Sequence, residues 1–210
     1  MNAIKLLFPT PIMIADIETI PEDDHNFLLN AEYHNTDKDG GLFEKTKSTY
    51  ILKNRQTELT NWIQEQLDNF SKDIMATDSK LKITQSWCLK HTDVVQQVYP
   101  HNHPNSIVSG AYYVTAPEGT ENIRFNKNKQ TSAPIIQWEM DQSLIGDRPW
   151  TWEWEEVPVQ TGRLILFPSY LEHMVMGKIV NTNTRCVLSF NTWFDGEFGS
   201  EERLTKLGGE

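Results

Sequence analysis

The sequence predicts a mainly β fold of the double-stranded β-helix (jelly-roll, cupin-like) kind with a flanking helix. Three observations predict it. From residue 79 onward, short strand-like runs follow one another: KITQSWCLK, DVVQQVYPH, IVSGAYYVTA, NIRFN, PIIQWEM, TWEWEEVPV, RLILFPS and CVLSFNTWF. Turn residues such as EGTEN and Gly146-Asp147 separate them, which is the punctuation of a double sheet. Ahead of these runs, Leu59, Trp62, Ile63, Leu67, Phe70 and Ile74 recur at helical spacing, so an amphipathic helix from Thr57 to Met75 packs behind one sheet.

The elements in order give a simple plan. Residues 3–15 read as an extended strand bent by Pro9 and Pro11, and residues 20–50 as polar loop with a short helix. The strand, loop and helix of 1–78 support a β core over 79–198, together one domain. The charged, glycine-rich stretch 199–210 reads as a frayed tail.

Composition narrows the function classes. Hydrophobic residues make up 38% of the chain, with seven Trp and nine Phe, enough for a packed core and too many for a disordered chain. A formal charge of -10 without a basic stripe argues against a nucleic-acid binder, which needs cations along its phosphate track. The two cysteines, Cys88 and Cys186, lack metal-ligand spacing and read as buried thiols in a reducing compartment. The run IKLLFPTPIMI is broken by prolines and lacks a cleavage site, so no signal peptide or membrane span is expected and the protein reads as cytoplasmic.

Chemistry concentrates in the histidines. In HNHPNSIVSGAYYV, His101 and His103 are one residue apart, and a strand would turn both to the same face. His173, in LFPSYLEHMV, would complete one triangular face of an octahedral metal, leaving the other positions open as in non-haem iron oxygenases. The bland alternative for an isolated HxH is ordinary strand histidines. A literal His-x-Asp also occurs at His91-Thr92-Asp93, but between two strand-like runs, where a tight hairpin turn would expose both side chains. Trp150, Trp152 and Trp154 alternate along one run and read as sheet packing. His25 and His34 sit in polar sequence and read as solvated. Asn105-Ser106 reads as turn chemistry, and Phe167-Pro168-Ser169 as the bend that turns His173 inward.

Taken together, FPTPI (Phe8 to Ile12), Trp87, HxHPNSxxSGxYY (His101 to Tyr113), GRLILFPSYLEH (Gly162 to His173) and RCVLSFN (Arg185 to Asn191) resemble a 2-oxoglutarate/Fe(II)-dependent oxygenase family of bacteria and marine phages, distantly similar to prolyl 4-hydroxylases. The resemblance implies a jelly-roll dioxygenase that uses Fe(II), 2-oxoglutarate and O2 and releases succinate and CO2, with hydroxylation as its expected reaction. It implies His101, His103 and His173 as metal ligands, although the wider superfamily carries a carboxylate at the position of His103, which leaves open whether His103 binds iron as a neutral imidazole or only lines the pocket with water in its place. Arg185 is implied as the partner of the co-substrate's distal carboxylate, twelve positions after His173 on the next strand and across a hairpin; Arg163, Lys178 and Arg124 are the other cations to weigh. Tyr113 is implied as a hydrogen-bond donor to that carboxylate. Val187 stands where many relatives have serine, so either Ser189 supplies the hydroxyl instead or this chain lacks it. Ser109 shares the face of Tyr113 and would line the same pocket. Small-molecule and peptidyl substrates remain open, as does oligomeric state. Two other classes compete: a cupin-like metal protein without 2-oxoglutarate, and a non-catalytic jelly-roll binding protein.

Overall fold

The computed structural model describes residues 9–36, 43–91, 97–127, 152–176, 184–199 and 201–206. Phe8, Asp93, Trp150, Lys178, the strand expected at 134–140 and the Gly146-Asp147 turn lie outside them.

Two sheets face each other. The larger, seven-stranded sheet has the order β1-β9-β6-β11-β4-β3-β2. It is built from β1 (Met13–Asp16), β9 (Arg163–Pro168), β6 (Val108–Thr115), β11 (Arg185–Phe194), β4 (Leu81–His91), β3 (Glu44–Thr46) and β2 (Tyr33–Asn35). The smaller sheet runs β5-β10-β7-β8, from β5 (Val98–His101), β10 (His173–Val175), β7 (Ile123–Asn126) and β8 (Trp154–Val157). This is the double-stranded β-helix expected from the spacing of the short runs.

The central strands are buried on both faces, which explains their near-continuous apolar sequence. On β6, β9 and β11, Tyr112, Val114, Leu164, Leu166, Cys186, Leu188 and Phe190 face the helices. The alternate positions Ala111, Tyr113, Ile165, Phe167 and Val187 face the second sheet. Period-two alternation thus sorts side chains between two cores rather than between core and water.

Helix α2 (Glu58–Asp73) closes the first core with Leu59, Ile63, Leu67 and Phe70, all buried. Each of these contributes about 1.5–3 kcal/mol relative to exposure. Its start is set by Thr57: the side chain accepts from the Thr60 N–H while the Thr60 hydroxyl accepts from the Thr57 N–H, a reciprocal cap that satisfies two otherwise orphaned donors. Residues 20–50, read from the sequence as loop with a short helix, contain α1 (Glu22–Leu29) and the strands β2 and β3, with β2 at the edge of the larger sheet.

Several expectations are corrected. His25 is buried, not solvated: its Nε2 lies 2.7 Å from the Tyr112 hydroxyl. His34 is exposed as expected. Trp154 is half exposed and lies under the Arg124 guanidinium, 4.6 Å from the ring centroid, so it caps a surface cation rather than packing a sheet. Past Gly199, where fraying was expected, β13 (Thr205–Lys206) pairs with β12 (Glu197–Phe198), and Phe198 stacks on Phe194 at 4.6 Å. Both cysteines are buried and unpaired. Among the described residues, no helix is long and apolar enough to cross a membrane.

Candidate metal centre

The histidines converge through sheet register and one turn. β5 and β10 pair antiparallel with His101 opposite His173, and their ring centroids are 4.3 Å apart. His103 departs from the expectation. β5 ends at His101, so pleat alternation does not orient His103. Its backbone N–H donates to the Ser169 carbonyl at 2.9 Å, tying it to the turn that leads into β10. Its ring centroid then lies 5.2 Å from His101 and 5.0 Å from His173. The turn that follows is the one expected: Asn105 takes φ 58°, which asparagine tolerates better than most residues. The Ser106 hydroxyl donates to the carbonyls of Val108 and Thr192.

In all three imidazoles Nδ1 is engaged by a neighbouring oxygen. Nδ1 of His101 lies 2.8 Å from the Tyr99 carbonyl, Nδ1 of His173 lies 3.1 Å from the Leu171 carbonyl, and Nδ1 of His103 lies 2.5 Å from Asn191 Oδ1. Each partner is an acceptor, so each Nδ1 carries the proton and each Nε2 keeps its lone pair. Burial, with the neighbouring His101, pushes His173 down to about 3; burial likewise pushes His103 down to about 4. These two rings are therefore neutral, the form that binds a metal. The three residues' ligand atoms lie within 4.8 Å of one another, and no other such group of His, Cys, Asp or Glu occurs among the described residues. They could hold one metal ion on one side, with no carboxylate among them.

A polar lattice fixes this cluster from behind. Asn191 Oδ1 also accepts from the Ser109 hydroxyl at 3.0 Å, and its Nδ2 donates to Gln85 Oε1 at 3.1 Å. Ser109 meets Ser169 at 2.8 Å, and Ser169 donates to Ser106 at 2.8 Å. Ser109 thus braces Asn191 from the face it shares with Tyr113, rather than lining the pocket as expected. Sequence reasoning missed Asn191 and Gln85. The available signal for Asn191 was its even spacing from Arg185 and Ser189 along one strand.

The same cavity is also lined by a buried cation, Arg185. His101, His103, His173, Arg185, Tyr113 and Ser189 all line it, and much of the remaining wall is apolar. Arg185 is 2% exposed, and among the described residues it has no carboxylate partner and its Nε has no hydrogen bond. Its guanidinium carbon lies 5.4 Å over the Tyr113 ring. Burial raises the Tyr113 pKa against the opposing charge of Arg185, so the phenol stays protonated and able to donate. Arg163 and Arg124 are engaged elsewhere, with Asp16 at 2.7 Å and Glu156 at 2.6 Å.

The His-x-Asp reading also changes. β4 extends through His91, directly opposite Arg185 on β11, so His91 is buried at 3% exposure instead of exposed in a turn. Burial, then the charge of Arg185, pushes it down to about 3. Asp93 lies outside the described residues. Nor do His173 and Arg185 flank a hairpin: β10 belongs to the smaller sheet and β11 to the larger, so the chain crosses between sheets to bring them to one cavity.

Solved structures share this architecture. The α-ketoglutarate-dependent non-haem epimerase SnoN from nogalamycin biosynthesis superposes with a TM-score of 0.57 at 10% identity, covering 90% of this chain and 77% of that one. HygX from Streptomyces hygroscopicus, solved with nickel, 2-oxoglutarate and hygromycin B, gives 0.56 at 11% identity, covering 87% and 82%. The collagen prolyl hydroxylase vCPH of Paramecium Bursaria Chlorella virus-1, in its 2-oxoglutarate complex, gives 0.50 at 12% identity, covering 86% and 94%. No curated protein sequence matches the chain. The shared architecture establishes the fold; kinship rests on sequence. The family model "Putative 2OG-Fe(II) oxygenase" matches residues 85–191, just over half of the chain and the whole stretch from Gln85 to Asn191 that builds the cavity, and the protein belongs to that family of 2-oxoglutarate/Fe(II)-dependent oxygenases.

Proposed function

We propose that this oxygenase is a hydroxylase whose iron(II) is held by Nε2 of His101, His103 and His173, with the distal carboxylate of 2-oxoglutarate on Arg185. The observation that carries this reading is the juxtaposition, in one cavity, of three converging imidazoles and a buried guanidinium that has no carboxylate partner among the described residues. A buried cation without a counter-ion is costly, and a dicarboxylate reaching from the histidines to Arg185 removes that cost. The residues fit the metal because three histidine ligand atoms lie within 4.8 Å of one another.

When bound, the metal supplies the redox chemistry: 2-oxoglutarate, O2 and a substrate C–H become succinate, CO2 and a hydroxylated product. The chain supplies position and charge. Arg185 offers a planar fork to the carboxylate, Tyr113 donates its phenol proton to the same group, and Ser189 offers a hydroxyl beside them. Asn191 holds His103 in the ligating tautomer. Leu89, Val98, Ile123 and Val175 on the wall exclude water and favour an aliphatic, uncharged part of the substrate, whether from a small molecule or a peptidyl residue. The unpaired buried thiols fit a reducing, cytoplasmic setting.

Anaerobic titration tests the whole reading. Iron(II) should saturate near one equivalent, His101→Ala and His173→Ala should abolish binding, and His103→Ala should weaken it strongly. Adding 2-oxoglutarate should give the weak visible charge-transfer band of a chelated 2-oxo acid, and oxygen should then release succinate. Metal binding with neither band nor succinate would point to cupin-like chemistry, and absence of metal binding to a non-catalytic protein. Loss of binding in His91→Ala with His103→Ala intact would shift the ligand set.

A further inference from the structure

We infer that His91 is a positioning residue that holds the Arg185 guanidinium in its receiving orientation without cancelling its charge; the inference rests on the proposed role of Arg185. The two residues are direct partners across β4 and β11, and Arg185 Nη1 lies 3.4 Å from His91 Nδ1. A guanidinium has only donors, so the facing Nδ1 must accept and the ring must be neutral. The imidazole is itself restrained, with the Phe43 ring tilted against it at a centroid distance of 5.5 Å. On its other side the guanidinium lies over Tyr113. Arg185 is thus gripped at one nitrogen and over one face; its Nε, and the His91 Nε2 that then carries the ring's proton, are buried with no hydrogen-bond partner among the described residues.

The chemistry explains why a histidine suits this place. An aspartate or glutamate opposite Arg185 would also accept its proton, and more strongly, but it would neutralise the cation and compete with an incoming carboxylate. A lysine would repel it. A neutral imidazole accepts one hydrogen bond, fixes the plane of the fork and leaves the full positive charge for the ligand. His91 does not line the cavity, so it acts through Arg185 and not on the co-substrate itself.

The test measures 2-oxoglutarate affinity by calorimetry on the manganese(II)-loaded protein for His91→Asn, His91→Leu and His91→Asp, alongside manganese affinity and melting temperature. Asparagine carries an acceptor near the Nδ1 position and should stay within about threefold of the parent, whereas leucine should raise Kd about tenfold or more. Aspartate should raise it further while keeping the melting temperature, because it pairs with Arg185 and shields it. Manganese affinity should be unchanged throughout. Parent-like affinity in the leucine or aspartate variant overturns the inference, as does loss of manganese binding in the asparagine variant. Arg185→Ala run in parallel separates the two readings: if it binds 2-oxoglutarate like the parent, the role of Arg185 itself fails. If it is impaired while His91→Leu is not, only the role of His91 fails.

Discussion

His103 donates its Nδ1 proton to Asn191 Oδ1 at 2.5 Å, a contact between residues 88 positions apart. It links the turn after β5 to the middle of β11, and so couples one corner of the histidine cluster to the larger sheet. Because Oδ1 can only accept, the contact also decides which nitrogen of His103 remains free.

Replacing Asn191 with leucine should therefore lower iron(II) affinity about 10- to 100-fold, the usual effect of removing the group that orients a ligating histidine. Asn191→Asp keeps an acceptor and should lose far less. Anaerobic titration of both variants checks this, and parent-like affinity in the leucine variant would show that the sheet does not hold the ring.

Arg185→Ala should weaken 2-oxoglutarate by well over about tenfold, since truncating one partner of a buried charged pair costs about 2–5 kcal/mol and each ~1.4 kcal/mol is a factor of ten. Metal affinity should survive. Arg185→Lys should recover part of the loss, because an ammonium keeps the charge but not the planar fork. Isothermal titration of the metal-loaded variants reads both effects.

Gly110 sits opposite Phe190 in the β6–β11 register, and a Cβ at this position would run into the Phe190 ring. Phe190 is fully buried against α2's core, so the ring has little room to retreat. Gly110→Ala should cost about 1–3 kcal/mol by overpacking, seen as a lower urea midpoint. Phe190→Leu in the same background should restore part of it, and an unchanged midpoint for Gly110→Ala alone would show the core to be loose there.

The metal-free protein should lose stability in mild acid. His91 is held at about 3 and His25 is also lowered, each chiefly by burial, while the unfolded chain titrates its histidines near 6.5. Between those values the unfolded state binds more protons, so stability is complete above about pH 6.5 and falls as pH drops toward about 3. Urea unfolding in chelator at about pH 7.5 and about pH 5 measures the slope, which His91→Asn should reduce. Greater stability at the lower pH would contradict the neutral burial of these rings.

Much was legible in the sequence because it is written in local periodicity. The helical recurrence of Leu59, Ile63, Leu67 and Phe70 and the short apolar runs of β6, β9 and β11 report which residues leave water, and the residue types His, His, His and Arg report what chemistry is available. What periodicity cannot report is the partner. That His103 turns on Asn191, that His91 lies against Arg185 across 94 positions and that His25 meets Tyr112 across 87 were decided by strand register and by the stacking of two sheets. Those contacts depend on where distant strands stop and pair. A buried donor takes whichever acceptor the assembled sheets bring to it, so the same residue types that read as solvated or turn-borne in the chain became, once packed, the groups that orient the cavity.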